Sequence, residues 1–281
     1  MKLLRVGDRG RERPAVLDHD GVARDLSGVV ADFGPGFFVP GCLRGVSAVL
    51  SDGRLPPAEG RIGAPVTRPG KVVCIGLNYS DHAAETGQAA PERPVVFMKD
   101  PATVVGPFDD VFIPRGSVKT DWEVELGVVI GSTARYLDSP AAGLAAVAGY
   151  VVSHDVSERE FQLERSPQWD LGKSCETFNP LGPWLVTADE VPDPQRLRLR
   201  LAVNGRTRQD GSTSNMIFGV GYLVWYLSQH MVLEPGDLIN TGTPAGVALG
   251  LPGHPYLRDG DRVQLEIDGL GRAEQRFVAA H

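Results

Sequence analysis

Strict alternation of apolar and polar positions is clearest from Trp122 to Ile130. Trp122, Val124, Leu126, Val128 and Ile130 fall on one side of an extended chain, and Glu123, Glu125, Gly127 and Val129 on the other. The spacing predicts a strand with two carboxylates side by side on one face. Upstream, KVVCIGL (71–77) predicts a buried strand, and DHAAETG (81–87) a short helical turn closed by Gly87. A small helix over 139–147, a strand VAGYVVSHD and a helix beginning after Asp155 follow, with Asp155 and Glu158 at capping-box spacing. Leu197, Leu199 and Leu201 alternate with arginines ahead of an Asn204-Gly205 turn. The run MIFGVGYLVWYLSQHM (216–231) predicts the longest apolar helix, with Gly219 and Gly221 as packing points, and strands around 237–241 and 262–267 follow.

The first part of the chain reads differently. PAVLDHDGVARDL predicts two short strands about an Asp20-Gly21 turn, and PPAEGRIGAPVTRPG (56–70), with four prolines and three glycines, suits an irregular connector. A small β-containing domain over 1–68 and a larger one over 69–281 are therefore expected, with no internal repeat. At 281 residues, with 42% hydrophobic and 22% charged side chains, the composition is that of a folded globular protein and excludes disorder, collagen and coiled coil. Gly 34 and Pro 22 favour strands and turns over a helical bundle. The net charge of −7 argues against nucleic acid or an anionic membrane as the main partner, while local positive charge can still hold an anionic substrate. The start MKLLRVGDRG has no apolar signal region, no run of about 18 apolar residues occurs, and Cys42, Cys74 and Cys175 lie far apart. A soluble protein of the reducing cytoplasm is the expectation.

Glu123 and Glu125 would raise each other's pKa, so either their face is fully solvated or a cation sits between them. The flanking VVIG and the apolar opposite face point to a central strand, and so to the cation. Asp155, at the C-terminal end of its strand, adds a third carboxylate or caps a helix, or does both. Three carboxylates form a hard oxygen site suited to Mg²⁺ or Mn²⁺, with Ca²⁺ also admissible. His82 and Glu85, three apart, share a helical face on which a carboxylate can orient an imidazole as general base; the alternative is an inert surface pair. The loop Gly76-Leu77-Asn78-Tyr79 just before them would give the pair mobility over a site. Lys173, after a glycine in WDLGKSCETF, is either a surface lysine or a cation for a carboxylate or enolate oxygen. Thr241-Gly242-Thr243-Pro244 with Gly246 is either a plain turn or an anion cradle. Nucleophile-elbow, zincin, P-loop and intact dinucleotide fingerprints are missing from the sequence.

In order, IGLNYSDHAAE, VVFMKDP, DWEVELGVVIG, AGYVVSHDVSEREFQ, GKSCETFNPLGPW, NGRTRQDGST and LEPGDLINTGTPAGV closely resemble the fumarylacetoacetate hydrolase family. The likeness covers nearly the whole chain and is to the bacterial subgroup that includes 2,4-diketo-3-deoxy-sugar-acid (L-fuconate or L-rhamnonate) hydrolases and acylpyruvases. It implies an α+β fold with a C-terminal mixed β-roll and short helices, a small N-terminal domain, and a homodimer. It places metal ligands at Glu123, Glu125 and Asp155, a lid dyad at His82 and Glu85, and Lys173 in the catalytic set. The substrate side would comprise Gln162 and Thr243, with Arg159 and Tyr79 beside them. Cys175-Glu176, next to Lys173, departs from the family pattern.

The implied reaction is metal-dependent cleavage of a 2,4-diketo acid to pyruvate and a second carboxylic acid. Similar sequences also act as oxaloacetate decarboxylases, isomerases of unsaturated dicarboxylic acids, or ureidoglycolate lyases, and a non-catalytic sugar-acid binder is the alternative from another class. A His-Glu base favours hydrolysis over decarboxylation or binding alone.

Overall fold

The glutamate strand, Val124–Ile130, lies between Val147–His154 and Leu238–Asn240 in a large mixed sheet of a computed structural model. The structure describes residues 1–38, 42–51, 53–85, 87, 89–165 and 167–281. All seven residues of the strand are buried, as befits a central strand covered on both faces. Val124, Leu126, Val128 and Ile130 pack into one core with Leu199, Leu201, Val263 and Leu265 of a second sheet. Val129, on the opposite face, joins a separate core built with Phe33, Phe37 and Phe38 of the N-terminal segment.

Among the described residues the first sheet has ten strands. In spatial order they are Ala23–Asp25, Arg13–Leu17, Lys2–Val6, Leu185–Thr187, Val147–His154, Val124–Ile130, Leu238–Asn240, Val72–Gly76 and Val95–Lys99, with Ile62–Gly63 added beside Lys2–Val6. Pairing is antiparallel except where Leu238–Asn240 runs parallel to Val72–Gly76. The N-terminal strands thus bond directly into the sheet that carries the glutamates, through Lys2–Val6 against Leu185–Thr187. The Pro/Gly-rich connector is less irregular than its composition suggests, because Ile62 and Gly63 close a ladder with Val6 and Arg5.

The second sheet orders Arg206–Ser212, Arg198–Val203, Arg262–Ile267, Gly271–Ala279 and Val111–Ile113. Asn204 and Gly205 both have positive φ, at 50° and 76°, as a two-residue hairpin of this twist requires.

Helices are short and differ from expectation at three places. Cys42–Ser51, ten residues, has no counterpart in the sequence reading, because Gly45, two serines and two valines mask its period. The run 216–231 yields only Val220–Ser228, since Ile217 and Phe218 donate their N–H groups to Asn78 instead of starting the helix. Gly221 does serve as a packing point: a Cβ there would lie 2.5 Å from Pro140 O of the helix Pro140–Ala145.

The helix expected directly after Asp155 begins at Arg159, and its N-cap is Glu158, which accepts from Glu160 N. Residues 157–158 bridge to Thr120–Asp121 first, and Asp155 is drawn into ion pairs and does not cap. The α+β architecture with a mixed, strand-rich body agrees with the expected class. No helix among the described residues is long and apolar enough to cross a membrane.

Candidate active site

Register brings the carboxylates together. Val124 pairs with His154, so Glu123 and Asp155 meet just past the last paired residues, and Asp155 N donates to Glu123 O at 3.0 Å. Glu125 lies two residues along on the same face. Carboxylate oxygens of Glu123, Glu125 and Asp155 lie within 4.8 Å of one another, and none of the three residues is more than 5% exposed. The solvated-edge alternative therefore does not hold.

Three buried cations offset this charge. Lys173 Nζ donates to Glu123 Oε2 at 2.7 Å and to Asp155 Oδ2 at 2.8 Å, and Lys99 Nζ reaches Asp155 Oδ1 at 2.5 Å. Arg159 donates through Nη2 to Glu123 Oε1 at 2.6 Å, through Nε to Asp121 Oδ2 at 2.9 Å, and through Nη1 to Gln162 Oε1 at 3.0 Å. Asp121 is further held by the backbone N–H groups of Trp122, Ala248 and Leu249. Burial opposes ionisation of Glu123, yet Lys173 and Arg159 outweigh it and hold this carboxyl well below its usual range. Glu125 shows the opposite. Burial and repulsion from Asp155 and Glu123 push its pKa well up, against Lys173 and one backbone donor, Gly242 N at 2.8 Å.

With Asp121, four carboxylates face three cations here, and Glu125 has no ion pair among the described contacts. A hard divalent cation at Glu123, Glu125 and Asp155 fits that excess charge. His154 is not placed to join them: its Nδ1 lies 2.9 Å from Gln275 Oε1, and burial pushes its pKa down to about 4.

His82 and Glu85 sit on the helix Ser80–Glu85, with Nδ1 and Oε2 3.5 Å apart. Both oxygens of Glu85 also lie 3.0 Å from Gly246 N. Burial would raise the Glu85 pKa, but the His82 and Gly246 bonds prevail and lower it. The preceding loop is anchored, since Asn78 Nδ2 donates to Thr241 O and Phe218 O at 2.8 and 3.0 Å. Gly76 gives clearance: a Cβ there would lie 2.7 Å from Trp169 Cζ3.

The expected anion cradle is present, but its anions belong to the chain itself. Gly242 N serves Glu125 and Gly246 N serves Glu85. The hydroxyls are committed as well, Thr241 to Leu126 O and Thr243 to Val124 O, while Gln209 Nε2 donates to Thr243 Oγ1.

A small cavity of about 60 Å³ opens onto this cluster. Glu123, Glu125, Arg159, Gln162, Lys173, Thr243 and His82 all line it. Asp155 and Tyr79 are fully buried and stand outside the lining, and the Tyr79 hydroxyl has no hydrogen-bond partner among the described residues. Cys175 and Glu176 are also outside it, so the departure in sequence does not form the wall beside Lys173.

Sequence reasoning assigned no role to Lys99, Asp121 or Gln209. Two signals were available. Lys99 is in phase with Phe97 on its strand, and Asp121 extends the phase of Glu123 and Glu125.

A family model described as fumarylacetoacetate (FAA) hydrolase C-terminal matches residues 71–278. A protein of Burkholderia ambifaria, provisionally named a hydrolase, is 53% identical over 278 residues, 98% of each chain. Among solved structures, 2-hydroxyhepta-2,4-diene-1,7-dioate isomerase from Mycobacterium marinum has a TM-score of 0.78 at 34% identity, covering 99% of this chain and 98% of that one. Maleylpyruvate hydrolase from Sphingobium sp. SYK-6, solved with manganese(II) and pyruvate, has a TM-score of 0.82 at 27% identity over the whole of both chains.

Proposed function

The chain belongs to the fumarylacetoacetate hydrolase family, and from that premise we propose that it hydrolyses a carbon–carbon bond of a 2,4-diketo acid of the acylpyruvate type. The products are pyruvate and a second carboxylic acid. The observation that carries this reading is His82, set against Glu85, lining the same cavity as Glu123, Glu125 and Lys173. When bound by Glu123, Glu125 and Asp155, Mg²⁺ or Mn²⁺, with Ca²⁺ compatible, would supply Lewis acidity to the carboxylate and 2-oxo oxygens of the substrate.

Glu85, fixed by Gly246 N, orients the imidazole, and His82 takes a proton from water as its oxygen adds to the C4 carbonyl. Lys173, ammonium-bearing and buried, stabilises negative charge that develops on the substrate. The C3–C4 bond breaks, and its electron pair stays with C3, which receives the proton returned by His82. Water is thus divided between the two products, its oxygen in the new carboxylate and its proton in the methyl group of pyruvate. Gln162, Arg159 and Thr243 bound the substrate space. The same proposal takes 1–68 and 69–281 as the two units of the chain and a homodimer of the cytoplasm as the working form.

Reaction in H₂¹⁸O tests the assignment. Label should enter the acid that is not pyruvate, and His82→Ala should lower this activity by about 10²- to 10⁴-fold while Mn²⁺ binding persists. The second reading is isomerisation of an unsaturated dicarboxylic acid, the activity in the name of the Mycobacterium marinum relative. It moves a proton between carbons and adds no water, so turnover without ¹⁸O uptake would replace the hydrolase by the isomerase.

A further inference from the structure

What a site recognises at the far end of its substrate depends on which lining groups remain free once the reacting groups have partners. Arg159 is ion-paired to both Asp121 and Glu123 and bonded to Gln162, one bond from each of its three side-chain nitrogens. Lys173 commits two donors to Glu123 and Asp155 and stands 4.9 Å from the centre of the Phe97 ring. His82 stands against Glu85, and the Thr243 hydroxyl is engaged by Val124 O and Gln209. Each cationic side chain among the described lining residues is therefore already paired within the chain.

The rest of the lining, apart from Gly76, is Ile75, Leu77, Phe97, Leu163, Trp169 and Leu249. Phe97 and Trp169 meet edge to face, with ring centroids 5.6 Å apart at 63°, and the missing side chain at Gly76 makes room for the indole.

We infer that the acyl end of the substrate is apolar, an aromatic or branched aliphatic body seated against Trp169 and Phe97, and that a second carboxylate or a polyhydroxyl chain is selected against. The inference rests on the hydrolase reading for which end of the molecule meets this wall, though not for which bond is broken. A second carboxylate would give up water where each cation of the described lining already has a carboxylate partner, and sugar hydroxyls would lose hydrogen bonds that the apolar wall cannot return. An aryl group gains buried area and an edge-to-face contact at the same place. A 3-deoxy sugar acid thereby gives way to an aroylpyruvate or a branched acylpyruvate, and maleylpyruvate, named for the Sphingobium relative, falls in the class selected against.

Two measurements on the full chain loaded with Mn²⁺ separate this inference from the reaction assignment. The first is calorimetric binding of phenylpyruvate against 2-oxoglutarate, which share a 2-oxo acid head and differ in the tail. Phenylpyruvate should bind at least about tenfold more tightly, and equal or reversed affinities would overturn the inference whether or not any diketo acid is cleaved.

The second compares kcat/KM for benzoylpyruvate, 2,4-dioxoheptanedioate and a 2,4-diketo-3-deoxy sugar acid. Benzoylpyruvate should lead by at least about tenfold; a lead by either of the others overturns the inference, whereas a phenylpyruvate preference with no cleavage overturns only the hydrolase reading. Leu163 lines the cavity and is 46% exposed, so a guanidinium there stays hydrated. Leu163→Arg should reduce the preference for phenylpyruvate over 2-oxoglutarate by at least about fivefold, and an unchanged ratio would remove this wall from tail recognition.

Discussion

Lys99→Met removes one of the two ammonium groups that hold Asp155. Lys99 is 2% exposed, bonds to Asp155 Oδ1 at 2.5 Å and donates to Val156 O at 2.9 Å. Deleting one partner of a buried ion pair costs about 3–5 kcal/mol, because the other charge is left without compensation. Lys173 still pairs with Asp155 Oδ2, so the low end applies, about 3 kcal/mol, and loss of the donor to Val156 O adds about 1 kcal/mol. Methionine refills most of the aliphatic stem, which keeps the packing loss small.

The expected sum of about 3–4 kcal/mol corresponds to a fall in Tm of roughly 6–15 °C for a chain of this size. Thermal and denaturant unfolding of the metal-free protein measure it, and a double-mutant cycle with Asp155→Asn should return a coupling of at least about 2 kcal/mol. With one positive charge fewer beside the carboxylates, Mn²⁺ should stabilise the variant more than the wild type. A variant within about 1 kcal/mol of wild type, or a coupling near zero, would refute the placement of Lys99 in this network.

Glu123→Gln should weaken Mn²⁺ binding at least about tenfold in calorimetric titration, since affinity follows the ligand charge, and an unchanged affinity would remove Glu123 from the ligand set. Burial opposes it, but His82 and Gly246 hold the Glu85 carboxyl below its ordinary 4.5; its stabilising contribution is therefore complete above pH 4.5 and is lost as the pH falls through the lowered folded value. Glu85→Gln should flatten the pH dependence of urea unfolding in that interval, and an identical slope in both proteins would count against the bond. Gly246→Ala, at φ +107° with its Cβ 2.0 Å from Arg208 O, should destabilise by about 3 kcal/mol or more and loosen Glu85, whereas a Tm unchanged from wild type would contradict this backbone geometry.

The period of two in 122–130 was enough to put Glu123 and Glu125 on one face and a continuous apolar set on the other, and the burial of both faces agrees. Asn204-Gly205 announced its hairpin for an equally local reason, the positive φ that these residues tolerate. His82 and Glu85 likewise face each other because three residues nearly complete a helical turn. Local patterning failed where another segment competed for the same backbone. Asn78, from more than a hundred residues away, takes the N–H groups that would have extended the apolar helix before Val220.

The sequence by itself determined the class of the fold, through its family resemblance, and which acidic and basic side chains share a face within one element, because periodicity and turn chemistry act over a few neighbouring residues. Tertiary structure alone decided how their charges are balanced. Lys99 meets Asp155 across 56 positions and Gly246 meets Glu85 across 161, and neither contact has a counterpart in any short window of sequence. Which backbone donors of the 241–246 turn serve the chain's own carboxylates, and which walls are left bare for a substrate, depend on the register of strands that fold from distant segments. A buried charge must find its partner wherever packing places one.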